Sequence, residues 1–111
     1  MKKIDVLGTE YTLEERTETE DEVLKQYDGY CDSSIMTCVI KKYPKDGKDI
    51  MDKNDPGVHA RKIKRHELIH AFLFESGLAE NSEWAMTEEM VDWFAVQFPK
   101  LLKAFQTANC I

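Results

Sequence analysis

The residues with the clearest chemistry in this sequence are His66, Glu67 and His70, in the segment HELIH. Residues four apart on a helix face the same way, roughly 6 Å apart along the axis, so the two imidazoles can converge on one ion. Zinc binds histidine nitrogens at about 2.0–2.1 Å and lowers the pKa of a bound water to about 7. Glu67 can remove that proton without occupying the metal. The spacing therefore predicts a zinc site with Glu67 as general base.

A catalytic zinc also needs a third protein ligand, and a later helical segment offers three carboxylates. Glu88 and Asp92 are four residues apart and share a helix face, whereas Glu89 points about 100° away. One carboxylate of the shared face would bind zinc, and the other would accept the spare N–H of a ligand histidine. Acidic residues also stabilise a helix N-terminus without any metal. We favour Glu88 as the ligand and Asp92 as the histidine's partner, with Glu89 as the competing ligand.

Two further residues are candidates for contact with a substrate or transition state. His59 lies seven residues before His66 and shares its helix face, but it is two turns away, so an exposed helix residue is the simpler interpretation. Tyr30 lies just before the central strand and could polarise a carbonyl. A tyrosine in such a position is more often simply packed.

The three cysteines, Cys31, Cys38 and Cys110, are odd in number and include no CxxC pair. The first 16 residues, MKKIDVLGTEYTLEER, have no apolar region of the kind that a signal peptide needs. Both observations favour free thiols and a reducing cytoplasm.

The composition and net charge indicate a folded domain and argue against nucleic acid and membrane as partners. The chain has 111 residues, 42% hydrophobic and 32% charged, so we expect one folded domain over residues 1–111. Its net charge of −6 argues against nucleic acid, since phosphate binding needs a basic surface. We interpret one local basic run as a solvated helix face: Arg61, Lys62, Lys64 and Arg65. No stretch reaches the roughly 20 apolar residues of a membrane span.

The elements that position these residues follow from periodicity and turn signals. Residues 3–6 and 11–13 alternate around Gly8, which predicts a hairpin. Residues 14–22 are acidic and predict a solvated turn or helix start, followed by a short helix over 21–27. Residues 35–40 form the best strand, and residues 43–54 indicate a polar loop.

Two long helices should follow these strands. Asp55 and Pro56 suit a helix start, and Gly77 suits its end, which predicts a helix from 56 to about 76. A second helix is expected from 85 or 87 to about 104. The fold class is therefore α+β, a small twisted antiparallel or mixed sheet packed on two long helices.

The segments HELIHAFLFESGL and EEMVDWFA resemble the zincin metallopeptidases of the gluzincin type. The nearest likeness is to small phage and prophage zincin-like proteins related to the ImmA/IrrE metallopeptidase family. The resemblance implies that His66, His70 and Glu88 bind zinc, that Glu67 is the base and that Asp92 orients a histidine. It also implies that residues 29–32 run into the strand of residues 35–40, and that an edge strand near the metal pairs with an extended peptide.

Two functions of different classes remain open at this stage. One is a zinc-dependent peptidase that cleaves a protein or peptide in the cytoplasm, the host cytoplasm if the chain is phage-encoded. The other is a catalytically weak or inactive zinc-binding phage accessory protein that serves as an interaction module. Glu67 favours the enzyme, since a structural zinc does not need a water-activating glutamate.

Overall fold

A computed structural model describes residues 1–42 and 56–111 of the chain. Within those ranges it contains a four-stranded sheet, two long helices and three short helical turns. The strands are β1 (Lys2–Val6), β2 (Thr9–Arg16), β3 (Gly29–Asp32) and β4 (Thr37–Lys41). The α-helices are α1 (Pro56–Glu75), α2 (Leu78–Asn81) and α3 (Glu88–Thr107), and 3-10 turns span Glu22–Lys25 and Trp84–Met86.

The sheet is mixed, with strand order β1-β2-β4-β3. β1 and β2 are antiparallel, and the turn between them has positive φ at Leu7 (53°) and Gly8 (90°). Two such residues are typical of a type I′ turn, which matches the right-handed twist of the flanking strands. The expected hairpin is confirmed.

The acidic segment after the hairpin differs from expectation. β2 continues to Arg16 and pairs in parallel with β4, so residues 14–16 are strand and not a solvated turn. The predicted short helix is a single 3-10 turn, whose N-cap Asp21 accepts a hydrogen bond from the Val23 amide. Tertiary pairing with β4 overrides the weak local pattern here.

The central strand is shorter than predicted, and it does not continue from residues 29–32. Residues 35 and 36 lie in a turn, with Met36 at φ 52°, and β4 begins at Thr37. β3 and β4 are antiparallel neighbours with Tyr30 opposite Val39, so the single run suggested by the resemblance is wrong. The chain reverses between them, which leaves β3 on the edge of the sheet.

The two long helices agree closely with their predicted bounds. α1 begins at Pro56 and ends at Glu75, and Gly77 follows it in the left-handed region at φ 82°. α3 begins at Glu88 and runs three residues past the expected end, to Thr107. The predicted cap Asp55 and the polar loop at 43–54 lie outside the described residues. The α+β class with a mixed sheet and two long helices is confirmed.

The core lies between the sheet and α1, where Val6, Tyr11, Cys38 and Ala71 are all fully buried. α3 packs on α1 mainly through Val91 and Ala95, the buried residues of that helix. The apolar side of α3 is only partly buried, since its three phenylalanines are each 40–47% exposed: Phe94, Phe98 and Phe105. None of the helices in the described ranges is long and apolar enough to cross a membrane.

Candidate metal centre

One face of α1 carries the three candidate residues. His66, Glu67 and His70 each present one donor atom, and these three atoms lie within 4.8 Å of one another. The imidazole rings stand 5.0 Å apart between centroids. Only 12% and 13% of the two histidine side chains are exposed. Helical spacing of four residues produces this convergence, as the sequence predicts.

The carboxylate of Glu88, at the start of α3, contacts both histidines. One of its carboxylate oxygens lies 2.8 Å from His66 Nε2, and the other lies 3.0 Å from His70 Nε2. Glu89 is exposed and is not among the described residues that line the adjoining cleft, whereas Glu88 is. The structure therefore brings the favoured carboxylate, and not the competing one, to the histidine pair.

The donor set fits zinc in both chemistry and spacing. Two imidazoles and one carboxylate, with room for water, are ligands typical of a catalytic zinc site. Ligand atoms around a tetrahedral zinc at 2.0–2.1 Å lie about 3.3 Å apart. The two nitrogen–oxygen separations of 2.8 and 3.0 Å are close to that value. His66, His70 and Glu88 could hold the ion with only small movements.

Asp92 lies behind His66. Its Oδ1 is 3.2 Å from His66 Nδ1, on the side of the ring opposite Glu88, and 3.1 Å from the Lys62 ammonium nitrogen. Burial alone would raise the pKa of Asp92, but the hydrogen bond and charge of Lys62, together with His66, hold it below its usual value. An ionised Asp92 can accept a hydrogen bond from the Nδ1–H group, and in that tautomer the Nε2 lone pair is free for a metal.

Glu67 is the most unusual titratable group of the site. It is a carboxylic acid that is only 7% exposed, and burial raises its pKa to about 7, opposed by His66 and aided by Glu88. The pKa of His70 is lowered, first by burial, which favours the neutral imidazole that metal binding requires. A base whose pKa lies near neutrality is well matched to proton transfer at neutral pH.

These residues open into a cleft of about 640 Å³ between α1, α3 and the edge strand β3. One wall is β3, represented by Gly29, Tyr30 and Cys31. The apolar part of the lining comes from Val23, Tyr27, Ile63, Phe74, Ala79, Ala85 and Met86. A strand edge beside a candidate metal centre offers backbone groups to an extended chain.

Gly29 is what allows β3 to approach α1 so closely. A Cβ at this position would lie 2.9 Å from Ile63 Cγ2, 2.9 Å from the Val39 carbonyl oxygen and 3.3 Å from Glu67 Cγ. Such contacts are too short for any side chain. The absence of a side chain at Gly29 therefore brings the strand edge against the candidate base.

Tyr30 lines the cleft, but its hydroxyl group already has partners. It donates a 2.5 Å hydrogen bond to Asp21 Oδ2, and Arg16 contacts both groups. Burial and the Asp21 contact raise the pKa of Tyr30 to about 12. A role in polarising a carbonyl would require the hydroxyl to leave Asp21.

His59 is not an exposed helix residue, contrary to the simpler interpretation of the sequence. Its side chain is 9% exposed, and its Nε2 lies 3.0 Å from Asp28 Oδ2. Asp28 lines the cleft, whereas His59 is not among the described residues that do. His59 therefore lies apart from the candidate metal centre and contacts Asp28, the residue before β3.

The basic run on α1 is also less solvated than expected. Lys62 pairs with Asp92, Lys64 lies 2.8 Å from Glu15, and the Arg65 Nε donates to the Ala95 carbonyl at 2.6 Å. These side chains tie α1 to the sheet and to α3. Their cationic groups are largely engaged within the protein.

Sequence reasoning missed Lys62 and Gly29 as parts of the site. Lys62 could have been found, because it stands four residues before His66 on the same helix face. Gly29 gives no comparable signal, since its role depends on the distance between β3 and α1.

Comparison of the chain with models of known protein families, with curated proteins and with solved structures gave no significant match to any of them.

Proposed function

We propose that this protein is a zinc-dependent peptidase whose general base is Glu67. The observation that carries the proposal is the contact of Glu88 with the Nε2 atoms of both His66 and His70, beside a buried carboxylic acid. A histidine–histidine–carboxylate set next to a separate glutamate is the arrangement that metal-assisted hydrolysis needs. The likeness of the motif segments to gluzincin-type zincins supports the same assignment, and the expected location is the cytoplasm.

Each residue then has a distinct role. His66, His70 and Glu88 would hold the ion, and Asp92 would fix the orientation of His66 by accepting a hydrogen bond from its Nδ1–H group. When bound, zinc would polarise a water molecule and the carbonyl group of the peptide. Glu67 would take a proton from a water molecule and pass it to the departing amine, because a carboxyl group with a raised pKa can both accept and release a proton near neutral pH.

The cleft supports a peptide substrate. β3 is an edge strand, so the backbone groups on its free side can pair with an extended segment laid along the cleft. The apolar lining offers space for a large hydrophobic side chain. Asp28, beside β3, and Lys62, on α1, add charges of opposite sign to the lining of the cleft.

The test compares purified wild-type protein with Glu67→Gln, His70→Ala and Glu89→Gln. We expect about one zinc per chain in all but His70→Ala, and cleavage of a peptide library by the wild type and Glu89→Gln only. Elemental analysis and mass spectrometry of the library measure the two properties. Glu89→Gln is the matched control, because it removes a neighbouring exposed carboxylate.

Two outcomes would overturn the assignment. Equal zinc content in wild type and His70→Ala would contradict the metal site. Zinc binding with identical cleavage patterns in wild type and Glu67→Gln would contradict the role of Glu67. Zinc binding with no cleavage by any variant would instead favour a zinc-containing interaction module.

A further inference from the structure

Cys31 and Cys38 face each other across the β3–β4 pair. The amide of Lys41 donates to the Asp28 carbonyl at 2.8 Å, which identifies that pair of residues as hydrogen-bonded. Pairs alternate along an antiparallel ladder, so Cys31 and Cys38 occupy a non-hydrogen-bonded pair, where Cα atoms are about 4.5 Å apart and side chains are closest. Disulfides span Cα separations of about 4.4–6.8 Å. The backbone is therefore already positioned for a bond between them.

The two thiols differ in their access to solvent. Cys38 is fully buried, and its Sγ lies 3.6 Å from the backbone carbonyl oxygen of Glu67. Cys31 is half-buried and lines the cleft. Cys31 packs against the buried cluster that contains Cys38, and the Cys31 thiol together with burial raises the pKa of Cys38. A reagent in the cleft would therefore meet Cys31 first, with Cys38 directly behind it.

We propose that Cys31 and Cys38 form a thiol-modification site, at which a small disulfide such as glutathione disulfide converts them to a cross-strand disulfide. The proposal is independent of the peptidase activity. It needs only the strand register, the packing of Cys31 against the buried cluster that contains Cys38 and the opening of the cleft at Cys31.

The chemistry balances in two exchange steps. The Cys31 thiolate attacks one sulfur of glutathione disulfide, which forms a mixed disulfide and releases one glutathione thiolate. The Cys38 sulfur then attacks Cys31 Sγ and expels the second glutathione, and the departing thiolate takes the Cys38 proton. Two protein thiols are oxidised by two electrons, and glutathione disulfide is reduced to two thiols.

The bond would alter the wall of the candidate metal centre. Cys38 would lose the S–H group that faces the Glu67 carbonyl, and β3 would be tied covalently to β4 beside the cleft. Because the register already aligns the two residues, the oxidised protein should stay folded. A dithiol reductant should restore both thiols.

The experiment treats the folded wild-type chain with glutathione disulfide, alkylates the remaining thiols and maps the peptides by mass spectrometry. We expect a Cys31–Cys38 cross-linked peptide, with the loss of two hydrogen atoms, that disappears after dithiothreitol. Cys110 is exposed and serves as the internal control, for which we expect only a mixed disulfide with glutathione. Cys110→Ser should leave the cross-link unchanged, and Cys31→Ser should leave Cys38 free because it is buried.

The proposal is wrong if Cys110 is the only thiol modified. It is also wrong if a mixed disulfide persists on Cys31 while Cys38 stays alkylatable. A circular dichroism spectrum of the oxidised protein checks that the fold is retained, and a cross-link found only in unfolded protein would contradict the site equally. The wild-type chain carries the test, so the result does not depend on whether Cys31→Ser folds.

Discussion

Glu88 and Glu89 are adjacent and chemically identical, yet only Glu88 contacts both histidines. The Glu88 side chain is 70% exposed, and ion pairs of exposed groups contribute little to stability. The proposed metal site predicts that Glu88 contributes to metal affinity and not to the stability of the fold. Removal of the Glu88 side chain should therefore lower the metal affinity and leave the free energy of unfolding nearly unchanged.

We expect Glu88→Ala to lower zinc affinity more than Asp92→Ala, and Glu89→Ala to leave it unchanged. Asp92→Ala should lower the zinc affinity on the order of 10–100-fold, as is usual for the hydrogen-bond partner of a ligand histidine. Zinc titrations of the three variants measure the order. A larger loss of zinc affinity in Glu89→Ala than in Glu88→Ala would mean that Glu89, and not Glu88, faces the two histidines.

The buried Glu67 carboxyl group should make the stability of the metal-free protein depend on pH. Its pKa is about 7 when folded and near 4.5 when unfolded, so the folded state binds the proton more tightly. Stability should therefore fall as pH rises from about 4.5 to 7, and the loss should persist at higher pH. Glu67→Gln removes this loss, because glutamine does not ionise.

We expect Glu67→Gln to be more stable than the wild type at pH 8 by on the order of 2–3 kcal/mol, with the difference vanishing near pH 4.5. Urea unfolding at the two pH values, with a chelator present, measures it. The same stability difference at both pH values would show that the pKa of Glu67 is not raised.

At the scale of elements, the site depends on the close packing of β3 against α1. Gly29 lies at the contact point, where a Cβ would be 2.9 Å from both Ile63 Cγ2 and the Val39 carbonyl oxygen. Backbone oxygen cannot move aside as the end of a long side chain can. The strand would have to shift away from Glu67 to accept any substitution.

We expect Gly29→Ala to destabilise the protein by roughly 1–3 kcal/mol, the usual cost of overpacking, and to weaken any peptidase activity. Gly8→Ala is the control: its φ of 90° strains the turn, but no atom lies within 4 Å of the added Cβ. Gly8→Ala should lower the free energy of unfolding by about 1–2 kcal/mol, because of backbone strain alone, and should leave activity unchanged. Activity lost equally in both variants would point to general destabilisation.

At the level of the whole molecule, the candidate metal centre lies between the two long helices, since the histidines are on α1 and Glu88 is on α3. Few of the residues of α3 are fully buried, namely Val91 and Ala95. A metal ion held by both helices would therefore strengthen an interface with little apolar area. The folded state alone presents all three ligands together.

Zinc should therefore raise the melting temperature. At a free concentration 100 times the Kd, the gain is about 2.7 kcal/mol, which corresponds to a rise of about 10 °C for a domain of this size. Thermal unfolding with and without zinc measures it, and a chelator should reverse it. His66→Ala should show no comparable rise; if it does, the ion binds elsewhere.

The sequence alone predicted the features that local spacing determines. Histidines four residues apart share a helix face wherever the helix lies, and Pro56 and Gly77 define the ends of α1 through their own backbone preferences. The hairpin turn at Leu7 and Gly8 is local in the same sense. These features were confirmed, together with the α+β class.

Tertiary structure alone decided what depends on distances between segments remote in the chain. The pairing of β3 with β4 and the partner of His59 both differ from expectation for this reason. The contact between Cys31 and Cys38 and the fit of Gly29 against α1 likewise follow from strand register and helix position. Strand register and helix position cannot be obtained from residue type and local periodicity, because both arise from packing of the whole chain.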